Sequence, residues 1–338
     1  MNRAQRRQQA REMPQVGDKV SNNGASYRYS EVGPEQSLFV RDWGTGDDET
    51  KMTSTKIIKE KVDVGVLNIQ SNTRAIKKSP GINGLKPEKN DVFFLVGAGG
   101  SLRKHISRLP ELHKFGTVFA TNRALSLFRG IEECLDYAFL LDPKSFLFVD
   151  EDWWDELDRK RIDCVAGYCT HPTALDFNNH YFFGQAVGQV EEWEREIEKQ
   201  GIDKKRTGSL DSGMCALYSN LHLCFKLNPK ATVVLLGHDF SFVDYYKYFD
   251  RKFDMNDEGE NIKKWPKEFG FMVTKDINGK MINTQYFLER QARTIAMALR
   301  NMKDAGGRII NATEGGILFD DYAIENISLV DYLWGGGK

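Results

Sequence analysis

The rhythm of apolar and polar positions changes near residue 90. After Asp91, short uninterrupted apolar runs recur between longer mixed segments: Val92 to Val96, Val118 to Ala120, Tyr137 to Leu141, Cys164 to Gly167 and Thr232 to Leu236. Such runs, rich in β-branched and aromatic residues and each closed by a polar or glycine-rich turn, predict buried strands. Their alternation with helix-length segments predicts an α/β fold, a doubly wound, mostly parallel Rossmann-like sheet with helices on both faces. The charged stretches Trp153 to Lys160 and Glu191 to Lys199 read as solvated helices of that domain.

Residues 1–89 lack this rhythm. They open on a basic arm, Arg3, Arg6, Arg7 and Arg11, and continue through polar, glycine-punctuated sequence. Tyr27 to Tyr29, Ser37 to Val40 and Val62 to Ile69 have the content of short strands, with a turn signal at Gly44-Thr45-Gly46-Asp47-Asp48. Residues 1–89 are therefore predicted to be a basic arm and a small β-rich N-terminal appendage. A surface linker at Ser79-Pro80-Gly81-Ile82-Asn83-Gly84-Leu85-Lys86-Pro87 would end it, and residues 90–338 would form the nucleotide-binding domain.

Composition narrows the function classes. With 338 residues, 41% hydrophobic and 28% charged, the chain has a core to bury. No apolar run approaches the roughly 20 residues of a membrane span, and the basic amino terminus lacks the apolar stretch of a secretory signal, so a cytoplasmic location is expected. Five cysteines, none in a C-x-x-C spacing, argue against a disulfide framework or cysteine zinc site, and no metal site is predicted. Lys plus Arg at 47 against Asp plus Glu at 48 leave a net charge of −1, which builds in no general attraction to nucleic acid.

Ligands of open α/β sheets bind outside the carboxyl ends of the strands, so the turns there carry the candidate chemistry. Gly97-Ala98-Gly99-Gly100-Ser101 follows the first strand; its glycines would let backbone N–H groups approach a phosphate, although it has neither the G-x-G-x-x-G nor the Walker spacing. Asn122, after the second strand, offers a donor and an acceptor to a base or ribose, or simply caps the next helix. Asp142, after the third, could meet ribose hydroxyls or a metal, or serve a turn. Gly208 to Ala216 is read as opening a helix whose small residues, Ser212 and Gly213 among them, would offer N–H groups to an anion. Gly237-His238-Asp239-Phe240 brings a histidine and a carboxylate to the same edge, where His238 is either a general acid or base or a buried structural histidine.

Six pieces in order carry a resemblance: G-A-G-G-S-L from Gly97, A-T-N-R-A-L from Ala120, L-L-D-P from Leu140, S-L-D-S-G-M-C-A from Ser209, L-L-G-H-D-F from Leu235 and N-A-T-E-G-G from Asn311. Together they resemble the family of the archaeal 6-hydroxymethylpterin diphosphokinase and the bacterial flagellin motility accessory factors, whose core is similar to bacterial sialyltransferases. The resemblance covers Asp91 to about Leu333, with Gly100 standing where the family loop has proline. It implies that Gly97, Gly99, Ser101, Asn122, Ser212 and Gly213 hold a nucleotide and that the segment with Thr313 and Gly315 closes over it; Gly100 and Asp142 complete the expected binding set, and the acceptor proton is expected to go to one of His238, Asp239 and Glu314. No histidine follows His238, which excludes the lid histidine of the sialyltransferases.

The implied activity is glycosyl transfer from a nucleotide sugar, with a nonulosonic acid activated by cytidine monophosphate as donor and no cofactor. The acceptor would be a glycan, protein or other hydroxyl compound, and assembly into a homo-oligomer is left open. Two alternatives stand beside it. One is an ATP-dependent diphosphokinase using Mg²⁺ on carboxylates such as Asp142 and Asp239. The other is a non-catalytic assembly protein with a relict nucleotide site, since the opening M-N-R-A-Q-R-R resembles some phage-encoded chains.

Overall fold

The computed structural model describes residues 48–143, 152–187, 191–211, 215–252 and 271–335. The strands are β1 (Val92–Val96), β2 (Thr117–Thr121), β3 (Tyr137–Leu140), β4 (Asp163–Gly167), β5 (His180–Val187), β6 (Ser209–Asp211), β7 (Thr232–Leu236), β8 (Tyr246–Tyr248), β9 (Arg251–Lys252), β10 (Phe271–Lys275), β11 (Met281–Gln285), β12 (Arg308–Asn311) and β13 (Glu325–Asn326). The predicted mostly parallel α/β class holds, and the chain divides into two compact units. Among the described residues, no helix is long and apolar enough to cross a membrane.

One unit contains residues 86–139 and the described residues from 215 to 252 and 271 to 335. Its strands lie in the order β13-β12-β7-β1-β2-β3, every neighbouring pair parallel. At the centre, Phe93, Phe94, Leu95 and Val96 of β1 and Val233 to Leu236 of β7 are wholly buried. Strands covered on both faces read as uninterrupted apolar runs, which is why these were visible in the sequence. The helices Ala216–Leu227 and Tyr286–Asp304 pack against each other, the first also against β1 and the second against β12. After β1 the chain does not enter an α-helix directly. It runs through 3₁₀ turns, Gly100–Lys104 and Ile106–Arg108, before the helix Leu109–Phe115.

The other unit contains the described residues of 48–85 and 140–211, with β4, β5 and β6 parallel in that order. Here several expectations are corrected. Val62 to Ile69, expected as a strand of a β-rich appendage, lies inside a helix, Asp48–Lys78; residues 1–47, with the other two expected strands, lie outside the described residues. The alternation Val62-Asp63-Val64-Gly65-Val66 imitates a strand, but the buried positions 62, 65, 69, 72 and 76 follow helical spacing. Two polar side chains sit on that buried face. Asn68 Nδ2 donates to the carbonyls of Pro143 (2.8 Å) and Cys169 (2.9 Å), and Asn72 Nδ2 to those of Thr170 (2.7 Å) and Tyr168 (3.3 Å). Gly65 admits the Trp193 indole, which would lie 2.3 Å from a Cβ there and which donates to the Val62 carbonyl at 2.9 Å. This contact accounts for a glycine inside a helix, otherwise unfavourable by about 1 kcal/mol.

The second correction concerns the expected surface linker. Ser79, Ile82 and Leu85 are buried, and Ser79 Oγ donates to the His180 carbonyl (2.6 Å) while accepting from the amides of Gly81 (3.0 Å) and Phe182 (3.2 Å). Arg206 Nη2 donates to the Ile76 carbonyl at 2.9 Å, satisfying the end of the long helix. The expected helix start at Gly208 to Ala216 also differs. Ser209–Asp211 is strand β6, the next helix begins at Ala216, and Ser212 and Gly213 lie outside the described residues. The predicted helix Trp153 to Lys160 is a short helix, Asp152–Glu156, followed by a 3₁₀ turn, Arg159–Arg161, whereas Glu191–Lys199 is helical as predicted.

Candidate functional site

In the unit built on β1, that strand has β2 on one side and β7 on the other, so the strand order reverses there. The carboxyl ends of β1, β2, β7 and β12 thus gather at a topological switch point, the usual ligand position in such sheets. Three non-glycine residues at these ends have a left-handed backbone: Asn122 (φ 46), Phe240 (φ 50) and Glu314 (φ 57). Such conformations cost of order 1 kcal/mol or more each and gather where a site imposes them.

Two of the expected groups hold the glycine turn from beneath. His238 Nε2 lies 3.1 Å from the Leu95 carbonyl oxygen, and a Cβ on Gly97 would stand 2.7 Å from its Nδ1. Burial pushes its pKa down to about 4, so at neutral pH the ring is uncharged and its Nε2–H donates to that carbonyl. Asp239, which is 2% exposed, accepts from the Ser101 amide at 2.9 Å on Oδ2 and from the Ser101 hydroxyl on Oδ1. Its carboxylate lies so close to the backbone that a Cβ on Gly99 would come within 2.5 Å of Cγ. Burial raises its pKa to about 6 against the opposing bonds from Ser101 and Gly100 and the charge of Lys104.

The expectation of free amides is corrected at three positions of this turn, Gly97, Gly99 and Ser101. Gly97 N–H donates to Leu236 O and Gly99 N–H to Gly237 O, both at 2.8 Å, while Ser101 N–H donates to Asp239 at 2.9 Å. The anion seated on the turn is a carboxylate of the chain itself, and His238 and Asp239 are its internal supports. Thr313 is also internal: fully buried, its hydroxyl accepts from the His238 amide and donates to the Leu235 carbonyl, both at 3.4 Å. Gly316 (φ 81) packs on the Asp239 backbone, and a Cβ on Gly315 would stand 3.6 Å from the Ser101 Cβ. The N-A-T-E-G-G segment and the G-H-D-F turn are thus one packed assembly.

Asn122 and Glu314 are placed differently. Asn122 Oδ1 is buried and has no hydrogen-bond partner, an acceptor left open at the end of β2. Glu314 has a side chain 32% exposed; its Oε1 accepts from the Leu329 amide at 3.2 Å and stands 3.8 Å from His105 Nε2. Lys104 Nζ donates to the Glu314 carbonyl at 2.8 Å. Burial lowers the His105 pKa, and the Glu314 carboxylate opposes that shift. Sequence reasoning missed His105 and Lys104, which lie in the 3₁₀ segment after the glycine turn where no motif marks them. The Arg123 guanidinium lies on Asp250. Asp142 belongs to the other unit, where it is half-buried and its carbonyl accepts from the His171 amide at 3.4 Å.

No protein-family model matches the chain, and no curated protein matches it. Among solved structures it is similar to the MAf glycosyltransferase from Magnetospirillum magneticum AMB-1, with a TM-score of 0.50 and 12% identity. The match covers 77% of this chain and 38% of that one. At this identity the likeness shows the shared α/β fold, and the chain spans well under half the length of that protein.

Proposed function

We propose that the protein is a nucleotide-sugar-dependent glycosyltransferase, its donor a CMP-activated nonulosonic acid seated at the carboxyl ends of β1, β2, β7 and β12. The observation that carries the reading is the Asn122 carboxamide, whose buried, unpartnered oxygen lies on a left-handed residue at the switch point. A cytosine presents an exocyclic amine that such an acceptor can bind, and a buried acceptor left open costs free energy that the ligand would recover. The fold shared with a glycosyltransferase and the six motifs agree with this reading.

In the proposed mechanism the glycine turn acts as a rigid floor, its amides held by the Leu236 and Gly237 carbonyls and by Asp239 and its backbone by His238, while Asn122 orients the base. Glu314 is the carboxylate of the three candidates that reaches the surface, and it would take the acceptor proton as the acceptor oxygen bonds to the anomeric carbon and the bond from that carbon to the phosphate oxygen breaks, releasing CMP. A diphosphokinase would need Mg²⁺ on carboxylates such as Asp239. That residue does not fit the role, because both its oxygens are bonded to Ser101 and it is buried.

Calorimetric titration with CMP, UDP, GDP and ATP tests the reading. CMP should bind best, and Asn122→Ala should weaken it by about tenfold or more, the scale of one lost hydrogen bond to a desolvated group. Equal affinity of parent and variant for CMP would remove Asn122 from the site, and failure to bind any nucleotide would favour the assembly-protein alternative.

A further inference from the structure

Beside Asn122, the Arg123 guanidinium is nearly buried, its side chain 14% exposed, and is clasped by the Asp250 carboxylate in a two-point ion pair. Nε lies 3.0 and 3.1 Å from Oδ1 and Oδ2, and Nη2 lies 2.8 Å from Oδ2. Asp250 is the last residue before β9, in a small hairpin in which Tyr246 pairs with Lys252 and Tyr248 with Arg251. The neighbouring Phe249 amide donates to the Ala98 carbonyl at 3.0 Å, so the same hairpin is tied to the glycine turn. One element thus bridges the turn after β1 and the turn after β2 that carries the open Asn122 acceptor.

The fork of N–H groups on an arginine fits a phosphate as well as a carboxylate, and a desolvated guanidinium is costly without an anion. The two partners of this pair are not equally held. Arg123 is two residues past the end of a buried strand, whereas Asp250 has a side chain 34% exposed in a hairpin joined by two paired positions. Of the two, the carboxylate is the one that can leave, since elements with few ladder bonds open at low free energy.

We propose that Arg123 is an anion-binding residue of the strand-end site and that Asp250 is its resident stand-in, displaced when the phosphate of a nucleotide arrives. The hairpin 246–252 is then a latch: it rests on the site while Asp250 occupies Arg123, and an incoming phosphate exchanges one anion for another without leaving the guanidinium unpaired. The nucleotide as source of the phosphate rests on the function proposed above; the anion exchange at Arg123 does not.

Titration of the full chain with CMP, cytidine and inorganic pyrophosphate separates the two. In Asp250→Asn the competing charge is gone, so CMP and pyrophosphate should each bind about fivefold tighter or more, because apparent affinity rises with the fraction of open sites. Cytidine should bind parent and variant alike, and Arg123→Gln should abolish the gain when combined with Asp250→Asn. Amide exchange over 246–252, including Phe249, should quicken in Asp250→Asn and in the parent with pyrophosphate. Tighter pyrophosphate binding without any preference for CMP would keep the latch and overturn the nucleotide. Unchanged CMP affinity in Asp250→Asn and in Arg123→Gln would overturn the latch and keep the nucleotide. Failure of Asp250→Asn to bind either phosphate compound overturns both.

Discussion

Replacing Asp239 with Asn should stabilise the protein above pH 6 and change it little near pH 4. The carboxyl is buried against Gly99, and its folded-state pKa stands near 6 against an ordinary value of 3.8. A raised carboxyl pKa means that the folded state holds the proton more tightly than the unfolded chain. The stability linked to this proton is fully present below pH 3.8 and is lost as pH rises through about 6. At pH 8 the ionised carboxylate costs the fold about 3 kcal/mol relative to its neutral form. Asn has the same shape and no charge. Its oxygen can accept from the Ser101 amide, and its NH₂ can donate to the Ser101 hydroxyl, which only has to rotate. The assay is thermal unfolding of parent and variant from pH 4 to pH 8.5. His238 and His171, both pushed down to about 4 by burial, contribute stability of the opposite pH sense, present above 6.5 and lost as pH falls through about 4. Parent and variant share these histidines, so the difference between the two curves isolates Asp239. That difference should open from about pH 4 to about pH 6 and level off above it at about 5–10 °C, at a few degrees per kcal/mol for a domain of this size. Parallel curves across that range, or a variant less stable at pH 8 than at pH 4 relative to the parent, would refute the account of the turn.

Gly99→Ala should destabilise the β1 unit by roughly 2–4 kcal/mol, because the new Cβ would meet Asp239 Cγ at 2.5 Å; chemical denaturation measures it. Asn72→Ala leaves the carbonyls of Thr170 and Tyr168 without their donor, and should cost about 2–3 kcal/mol in the other unit, read by denaturation followed through the Trp153 and Trp154 fluorescence. If glycosyl transfer is the activity, donor turnover should persist in excess EDTA; its loss, with restoration by Mg²⁺ and ATP as donor, would move the assignment to the diphosphokinase.

How much was legible depended on whether the signal was local. β1, β2, β3, β4 and β7 were visible because a strand buried on both faces must be apolar at every position, whatever it packs against. The helix Asp48–Lys78 was not, because its buried face includes Asn68 and Asn72, and only tertiary structure supplies the carbonyls that make those side chains burial-compatible. The buried Ser79 was hidden for the same reason, inside a turn-rich string that looks like a linker.

The site divides along the same line. Sequence alone determined that Gly97 to Ser101, Asn122, His238 and Asp239 would come to strand ends, because each follows an apolar run directly. It could not determine which of them would face a ligand. That choice depends on which donors and acceptors are satisfied by residues far away in the chain: Asp239, 138 positions from Ser101, takes the Ser101 amide at the end of the glycine turn. Asp250, 127 positions from Arg123, takes the guanidinium. Residue type sets what a group can bond to, while the fold decides which partner reaches it first, and at this sheet edge several of the anion-binding donors are met by the chain's own carboxylates.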